Sequence, residues 1–278
     1  MTNKSYKRIV IPKGLDLGTS RRTCLQLANT ISIRSGLEIF SDVENIQQGD
    51  LVILGGVGGH DGFQKYHESF QKKNIDYVNV EKGYCNWWKP VYWRVTFNEN
   101  QILDIKGEYT NERFVKFKLK IKQWQMGEQV YIVAPSQNGL EVYGIKQNVD
   151  QWIESTTQEI KKHTNRPIKI RKKMPKKARG SRGFCNSLEN IYCVVSLHTM
   201  AMTEALREGC PVISLVPGCV KDYSVNSIDK INNLYYPENR QYLFNCLTNL
   251  QFNSDELISG VAWDTMSKYY GISISKQA

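Results

Sequence analysis

The sequence lacks the features that mark membrane, secreted and metal-binding proteins. No apolar run approaches the ~20 residues that cross a bilayer. The amino-terminal segment MTNKSYKRIVIPKG has neither the apolar region nor the small-residue cleavage site of a signal peptide. The 7 cysteines stand at wide spacings without a CxxC pair, which argues against a zinc site and against a disulfide framework. These absences predict a cytoplasmic protein with reduced cysteines and no membrane contact.

Acidic residues are scarce relative to basic ones. The chain has 37 Lys and Arg residues against 27 Asp and Glu residues, which gives a formal net charge of +10. A basic surface favours polyanions such as nucleic acid, anionic lipid or the phosphates of nucleotides. The charge therefore predicts an anionic partner without saying which one.

Strand-like and helix-like segments alternate along most of the chain. In the first half, the apolar runs KRIVIP and LVIL are each followed by a glycine-containing loop and a segment of helical spacing. The second half repeats this pattern with EQVYIVAP, RPIKIR, IYCVVS and CPVISL as strands. The alternation predicts an α/β fold with parallel, doubly wound sheets.

A change of composition separates the two halves. Residues 86–124 are rich in aromatic and β-branched residues, and they predict antiparallel strands appended to the first half. We therefore predict one domain over residues 1–125 and a second over residues 126–278. The tail of the second is helical in pattern, and Ser254 is its predicted N-cap.

The strongest chemical signal lies in residues 194–215, VVSLHTMAMTEALREGCPVISL. A buried strand ends at Ser196, and a helix begins near Thr199, so free backbone N–H groups would attract phosphate there. Glu204 lies further along this helix, where a carboxylate can accept hydrogen bonds from both ribose hydroxyls. The alternative is an ordinary α/β crossover with a solvated Glu204.

This pattern of strand, Ser, Glu-Ala, Gly and Pro-Val-Ile resembles the donor-binding end of GT-B-fold glycosyltransferases. The tail QFNSDELISGVAW resembles the closing segment of a group of tailed-phage glycosyltransferases, of DNA-modifying or capsule-synthesis-like type. Three further segments resemble that group: RPIKIRKK, VEKGYCNWWKPVYWRVTFN and IVAPSQNG. The resemblance implies two Rossmann-like domains facing each other across a cleft, with a C-terminal helix. The first would hold the acceptor and the second a sugar nucleotide.

The resemblance also implies roles for donor-site residues. Glu204 would hold the donor ribose, and Arg171 would offer a bidentate guanidinium to the phosphates. The other residues implied for the donor site are Lys173, Ser196, His198, Thr199, Ser136 and Gln137. His198 has the alternative role of a hydrogen-bonded loop histidine. A helix dipole and cations can stabilise a leaving nucleoside diphosphate without a metal, and no DxD-type pair stands in a suitable loop. We therefore predict a UDP-sugar donor and no required metal.

The glycine-rich segment GGVGGHDG, residues 55–62, is the predicted place of acceptor chemistry. Glycine lets the backbone approach a ligand closely, and the segment follows a strand. Transfer to a hydroxyl needs a base, and either His60 or Asp61 could serve. We favour Asp61, with direct displacement and inversion at the anomeric carbon. The alternative is that Asp61 caps the next helix.

Two features address the acceptor. The run from Lys161 to Arg182 holds eleven basic residues and no acidic one, which suits a phosphate backbone, although such runs are usually just solvated. The segment GYCNWWKPVYWR mixes aromatics with cations, which suits stacked bases or sugars, although alternate members of a hairpin would enter the core. The predicted acceptor-binding residues are Lys172, Lys176, Lys177, Arg179, Arg182, Trp88 and Arg94.

Three functions follow from these features. The leading one is transfer of a sugar from UDP-glucose to hydroxymethylated pyrimidines, such as hydroxymethylcytosine, in duplex bacteriophage DNA, with the target base flipped out of the stack. The protein would then work in the host cytoplasm. The first alternative is transfer to a bacterial surface or capsule glycan. The second is a non-catalytic DNA-binding protein.

Overall fold

Short runs of buried aliphatic residues form the strands of two separate larger sheets. The computed structural model describes residues 2–12, 18–55, 69–85, 91–172, 184–197 and 199–277, with backbone alone for residues 18–20, 42, 185 and 186. The chain divides into two compact units. Unit 1 consists of Met1–Ile102, Lys106–Arg113 and Cys246–Ala278, and unit 2 of Leu103–Ile105 and Phe114–Asn245.

The strands and helices are numbered in chain order. The strands are β1 (Thr2–Tyr6), β2 (Arg8–Pro12), β3 (Ile39–Val43), β4 (Asp50–Gly55), β5 (Asp76–Lys82), β6 (Trp93–Phe97), β7 (Gln129–Val133), β8 (Ile168–Arg171), β9 (Ile191–Ser196), β10 (Val212–Ser214), β11 (Gln251–Phe252) and β12 (Ile272–Lys276). The helices are α1 (Gly18–Ser35), α2 (Glu112–Lys116), α3 (Gln137–Val142), α4 (Val149–His163), α5 (Met200–Arg207), α6 (Arg240–Asn249), α7 (Ser254–Ser259) and α8 (Val261–Tyr270). Short 3-10 turns lie at Phe184–Ser187, Lys221–Tyr223 and Ile228–Asn232.

Unit 1 contains a six-stranded sheet in the order β3-β2-β4-β5-β6-β11. The first four of these strands are parallel, and β6 and β11 complete the sheet with antiparallel pairings. The parallel strands β2 and β4 are buried along nearly their whole length, as strands covered on both faces should be. Chain order reverses between β2 and β4, which makes their carboxyl ends a topological switch point.

The appended antiparallel strands are confirmed only for β6. After β6 the described chain forms no further strand before β7, and α2 is its one regular element there. The alternating segment KFKLKIKQW begins with the last residue of α2 and a turn at Lys118, whose φ is +54°, and the backbone after the turn pairs with the end of α5. Lys122 N donates to Arg207 O at 2.9 Å, and Gln125 N donates to Gly209 O at 2.9 Å. The alternation therefore marks docking against a helix end, and the prediction of a strand was wrong.

Unit 2 contains a four-stranded, all-parallel sheet in the order β10-β9-β7-β8. The predicted strands and the helix of residues 149–163 are confirmed. Trp152, Ile153 and Ile160 of α4 are buried in one apolar cluster with aliphatic residues of β7 and β9. This packing fixes one face of the sheet, because an amphipathic helix is stable only with its apolar stripe covered.

The tail motif fastens the end of the chain to unit 1. The buried Gln251 accepts a hydrogen bond from Cys85 N at 2.8 Å and donates one to Cys85 O at 2.7 Å. Asn253, and not the predicted Ser254, is the N-cap of α7, in a capping box with Glu256. The predicted division at residue 125 placed this tail with the second half, whereas its contacts group it with unit 1.

The cysteine side chains that are described are buried and free. Burial raises the pKa of the Cys24 thiol to about 12 and the pKa of the Cys210 thiol to about 11. Thiols with such pKa values carry almost no thiolate at neutral pH and are poor nucleophiles. They act as small core residues. None of the described helices is both long and apolar enough to cross a membrane.

A charged network anchors β1 to β5 in unit 1. Asp76 accepts hydrogen bonds from Lys4 Nζ at 2.8 Å, Tyr6 Oη at 2.6 Å and Asn98 Nδ2 at 2.6 Å. Burial by itself raises the pKa of the Asp76 carboxyl, but these three donors outweigh it and hold the pKa below its usual range. The ionised carboxylate therefore stabilises the fold at neutral pH.

The substitution Asp76→Asn should remove this pH dependence. A lowered folded-state pKa gives stability that is present above the unfolded pKa of about 3.9 and is lost as the pH falls through the folded value. We expect the variant to lose about 1–3 kcal/mol of unfolding free energy at pH 7 and to lose less than the parent on acidification. Urea unfolding at pH 7 and at lower pH measures both. Glu38→Gln, at an exposed pair with Lys276, is the control; an acid response of Asp76→Asn equal to that of the parent would contradict the assignment.

Candidate functional site

The carboxyl edge of the unit 2 sheet has the topology of a ligand site. The chain passes from β7 to β8 on one side and from β9 to β10 on the other. Loops leaving β7 and β9 therefore diverge, and ligands of open α/β sheets bind in the crevice at such a switch point. The predicted donor-site residues that are described lie at or after the ends of β7, β8 and β9, or on the helix that follows β9.

Ser196 ties the ends of β9 and β7 together. Its Oγ donates to Val133 O at 2.7 Å, and the side chain is 0% exposed. The hydroxyl proton is thus used within the sheet, so Ser196 holds the strand ends in register beside the crevice. Ser196 was predicted to lie near the diphosphate; the structure places it at the edge with its hydroxyl turned into the protein.

The start of α5 offers unused hydrogen-bonding capacity. Thr199 has the extended backbone of an N-cap residue, but its side chain makes no capping hydrogen bond. Its Oγ1 is buried and finds no hydrogen-bond partner in the part of the chain that the structure describes. The first-turn N–H groups of a helix also lack intrahelical partners and attract anions. This is the arrangement that the sequence predicted for a phosphate. His198 lies outside the described residues.

Glu204 lies in the middle of α5 and is half-buried. The apolar side of the helix is formed by the buried residues Met202, Ala205 and Leu206. Glu204 is not part of that buried set, so its carboxylate stands at the margin of the core. A helix with a free amino end and a carboxylate within two turns fits a phosphate-and-ribose pattern.

The loop after β7 contributes Ser136 and Gln137. Ser136 is the N-cap of α3, and its Oγ accepts a hydrogen bond from Gly139 N at 3.2 Å. Gln137 is exposed in the first turn of that helix, and its Nε2 donates to Gln147 O at 3.5 Å. Ser136 thus serves the helix start, while the amide of Gln137 remains accessible at the switch point.

The end of β8 brings two cations to the same edge. The guanidinium of Arg171 lies 5.0 Å from the centre of the Phe184 ring, which orients it, and none of the described carboxylates pairs with it. Lys172 is exposed and forms an ion pair with Asp150. Arg171 is therefore the cation better placed to meet an anionic ligand, because the charge of Lys172 is already balanced.

A cavity that the sequence did not reveal lies at the carboxyl end of β10. Its volume is about 620 Å³. Residues 214–217 and 224–226 line it, with Lys221, Asp222, Lys230 and Tyr235. Leu215 N donates to Ser196 O at 2.9 Å, so the cavity adjoins the end of β9. Its size falls within the ~300–1,000 Å³ typical of small-molecule sites.

Other predicted residues are placed differently or are not described. Arg94, predicted to contact an acceptor, is 8% exposed in β6, with its guanidinium 5.4 Å from the Tyr84 ring. A buried cation of this kind has little surface to offer a polymer. The predicted residues outside the described part of the chain, besides His198, are His60, Asp61, Trp88, Lys173, Lys176, Lys177, Arg179 and Arg182. His60 and Asp61 follow β4, one of the two switch-point strands of unit 1.

The described residues include no group of three or more His, Cys, Asp or Glu side chains arranged to hold a metal ion. The described edge offers a helix start, hydroxyls and a guanidinium. Such donors stabilise developing negative charge when they are held in place before reaction.

Comparison with solved structures identifies the fold. The chain resembles Thermosulfurimonas dismutans KpsC, beta Kdo 2,4 transferase, with a TM-score of 0.51 and 10% identity over 92% of this chain and 99% of that chain. It also resembles T. dismutans KpsC, beta Kdo 2,7 transferase, with a TM-score of 0.53 and 11% identity over 93% and 100%. No protein-family model and no curated protein sequence matches the chain. With its two parallel-dominated sheets, the chain has an α/β, GT-B-like fold.

Proposed function

We propose that the protein is a glycosyltransferase that moves a sugar from a nucleotide donor to a bacterial surface or capsule glycan. The observation that carries this proposal is a fold shared over more than nine-tenths of the chain with two Kdo transferases. The topology of the unit 2 sheet supports it, because the helix that carries Glu204 follows β9 and Arg171 ends β8 at the same carboxyl edge. A fold alone does not establish an activity, so the residues of the site carry the rest of the proposal.

Each donor-site residue has a proposed task. Glu204 accepts hydrogen bonds from the ribose hydroxyls, and Arg171 pairs with the phosphates. Thr199 and the first turn of α5 hold the diphosphate, with His198 and Lys173 beside them, while Gln137 contacts the donor from the β7 side. Ser136 and Ser196 keep the two loops in place. The leaving nucleotide is then stabilised without a required metal.

The hydroxyl of the acceptor that receives the sugar is proposed to meet its base at the switch point of unit 1. Asp61 takes the proton of the acceptor hydroxyl as its oxygen attacks the anomeric carbon, and the bond from that carbon to the nucleotide phosphate breaks on the opposite side. The pair of electrons leaves with the nucleotide, so one displacement inverts the anomeric centre. His60 is the second candidate for the base.

Transfer to hydroxymethylated pyrimidines in duplex DNA is the second candidate function. It is favoured by the net charge of +10 and the eleven cations of residues 161–182, which suit a phosphate backbone. The structural neighbours are transferases of a sugar, Kdo, and their names mention no nucleic acid. We therefore place the glycan acceptor first.

A transfer assay tests the proposal directly. The protein is incubated with UDP-glucose, other UDP-sugars and nucleotide-activated Kdo, against capsule oligosaccharides and against plain and hydroxymethylated duplexes. Added sugar mass on an oligosaccharide alone is the expected result. Sugar on the modified duplex alone would establish the second candidate instead, and repeating the assay with EDTA tests metal independence.

Glu204→Gln should weaken donor use in this assay. Loss of a charged hydrogen bond costs about 1.5–3 kcal/mol, so we expect kcat/KM for the donor to fall roughly 10- to 100-fold. Glu154→Gln, at an exposed position of α4, is the matched control and should leave it unchanged. Equal effects of the two substitutions would exclude Glu204 from the donor site. No turnover by any variant, with intact folding, would favour the non-catalytic DNA-binding alternative.

A further inference from the structure

The cations at and before β8 form a group without carboxylate partners. Some other lysines and arginines of the described residues pair with carboxylates, as Lys122 does with Glu208 and Lys162 with Glu159. In contrast, Arg166, Lys169 and Arg171 have no carboxylate partner among the described residues. Their positive charges are therefore not neutralised by the part of the protein that the structure describes.

Each of these three cations rests on an aromatic ring. Arg166 lies 3.6 Å from the centre of the Tyr192 ring, Lys169 lies 5.0 Å from that of Tyr131, and Arg171 lies 5.0 Å from that of Phe184. The rings hold the long side chains in place without cancelling their charge. Ordered, un-neutralised cations are suited to bind anions, because less side-chain entropy is lost on binding.

The strand that carries them lies at an edge of the unit 2 sheet, and all three cations are partly exposed. Arg166 Nη1 donates to Glu128 O at 3.4 Å and Lys169 Nζ donates to Ser187 O at 2.9 Å, so part of their donor capacity is left for a ligand. Lys169 and Arg171 are two residues apart in a strand, so they share one face at a spacing of ~6.6 Å. This spacing suits a linear polymer with regularly repeated charges. Arg171 ends the strand at the carboxyl edge, where the proposed donor site lies.

We propose that β8, together with Arg166 just before it, forms a binding surface for an anionic glycan. The inference rests on the proposed function, because it supplies the charge class of the acceptor: a linear oligosaccharide with carboxylate groups. Such a chain lies along β8, with one end at the carboxyl edge of the unit 2 sheet. Carboxylates pair with Arg166 and Lys169 further along the strand.

The way in which the aromatic rings are used favours a glycan over a single-stranded nucleic acid. Single-stranded nucleic acid is bound through bases that stack on open aromatic faces. Here Tyr131 and Phe184 stack on each other at 5.6 Å, and Lys169 and Arg171 lie over these same rings. The described rings are thus used to seat cations, which favours a ligand recognised by its charges.

The test compares three ligands on the full-length protein. The anionic probe is an oligomer of 1,4-linked galacturonic acid, the neutral probe is the same oligomer with its carboxylates methyl-esterified, and the third is duplex DNA of matched charge. Calorimetry is run over a range of salt concentrations. We expect the galacturonate oligomer to bind with an affinity that falls as salt rises, and the esterified oligomer not to bind.

The double variant Arg166→Gln/Lys169→Gln should weaken binding of the galacturonate oligomer about tenfold. Arg166→Lys/Lys169→Arg keeps both charges and should keep the affinity, and Lys268→Ala, an exposed cation of unit 1, should change nothing. Thermal melting checks that each variant is folded. Unchanged binding by the neutralised variant, or no binding of the anionic oligomer at all, would overturn the proposal.

Two further outcomes separate this proposal from others. Tighter binding of the duplex, lost in the neutralised variant, would assign the surface to nucleic acid and overturn the glycan. Donor binding is measured in parallel with UDP, which Arg166 and Lys169 do not contact in the proposed site. If UDP binds the neutralised variant normally while the oligomer does not, the surface is confirmed separately from the donor site. If the oligomer binds but UDP binds neither the parent protein nor any variant, the proposed donor site is contradicted and the glycan-binding surface is still supported.

Discussion

Replacing Asp61 by asparagine should lower turnover by about 10²–10⁴-fold, the range that a positioned general base contributes. An amide cannot accept the proton that the acceptor hydroxyl must lose. Asp61 follows β4 in the chain, and β4 is one of the two strands between which the unit 1 sheet reverses its order. Because the donor is proposed to bind to unit 2, the Kd for the donor nucleotide should stay nearly unchanged. Initial rates and calorimetry with the nucleotide measure the two quantities separately.

His60→Asn is the matched comparison, since it places the same amide-bearing residue one position earlier. If Asp61 is the base, His60→Asn should lower turnover much less than Asp61→Asn does. The reverse order would assign the base to His60. A normal turnover in Asp61→Asn would contradict the role of Asp61 as the base. A lower unfolding free energy in Asp61→Ala would then support the helix-capping role, because replacing a cap residue by alanine costs about 0.5–2 kcal/mol, whereas asparagine caps as well as aspartate.

Much of the fold could be predicted because its strands are apolar runs. β4, β7 and β9 are buried along most of their lengths, and burial on both faces of a parallel sheet produces that pattern in the sequence. β1 and β12 could not be predicted in this way. Their sequences, TNKSY and ISISK, are largely polar, and they pair with each other across nearly the whole chain. Only the arrangement of unit 1 brings them together.

The sequence predicted which strand ends form the candidate site, but it did not predict the hydrogen bonds that each side chain makes there. The position of Ser196 at the end of β9 follows from the apolar run before it. That its hydroxyl donates to Val133 follows from the pairing of β9 with β7, which no local pattern contains. The cavity beside β10 was missed for the same reason, because residues 224–226 reach it only by lying alongside β10.

Gly209→Ala should be the most destabilising substitution of those considered for unit 2. Gly209 has a φ of +85°, a conformation that costs an L-residue about 1–2 kcal/mol. An added Cβ would also collide with the carbonyl oxygen of Gln123 and lie 2.9 Å from its carbonyl carbon. That backbone is the segment docked on the end of α5, where Gln125 N donates to Gly209 O at 2.9 Å. Overpacking of this kind costs about a further 1–3 kcal/mol.

Gly271→Ala separates the effect of backbone strain from the effect of the steric collision. Gly271 has a φ of +63°, but a Cβ added there would have nothing within 4 Å of it, so this variant carries the backbone strain without the collision. We expect the midpoint of thermal unfolding to fall on the order of 10 °C for Gly209→Ala and by only a few degrees for Gly271→Ala. Because α5 carries Glu204 and the proposed phosphate site, Gly209→Ala should also weaken UDP binding well below its melting midpoint, whereas Gly271→Ala should not. Equal losses in the two variants would mean that the docked segment yields to the added methyl group, and that its contact with α5 does not hold the donor site in place.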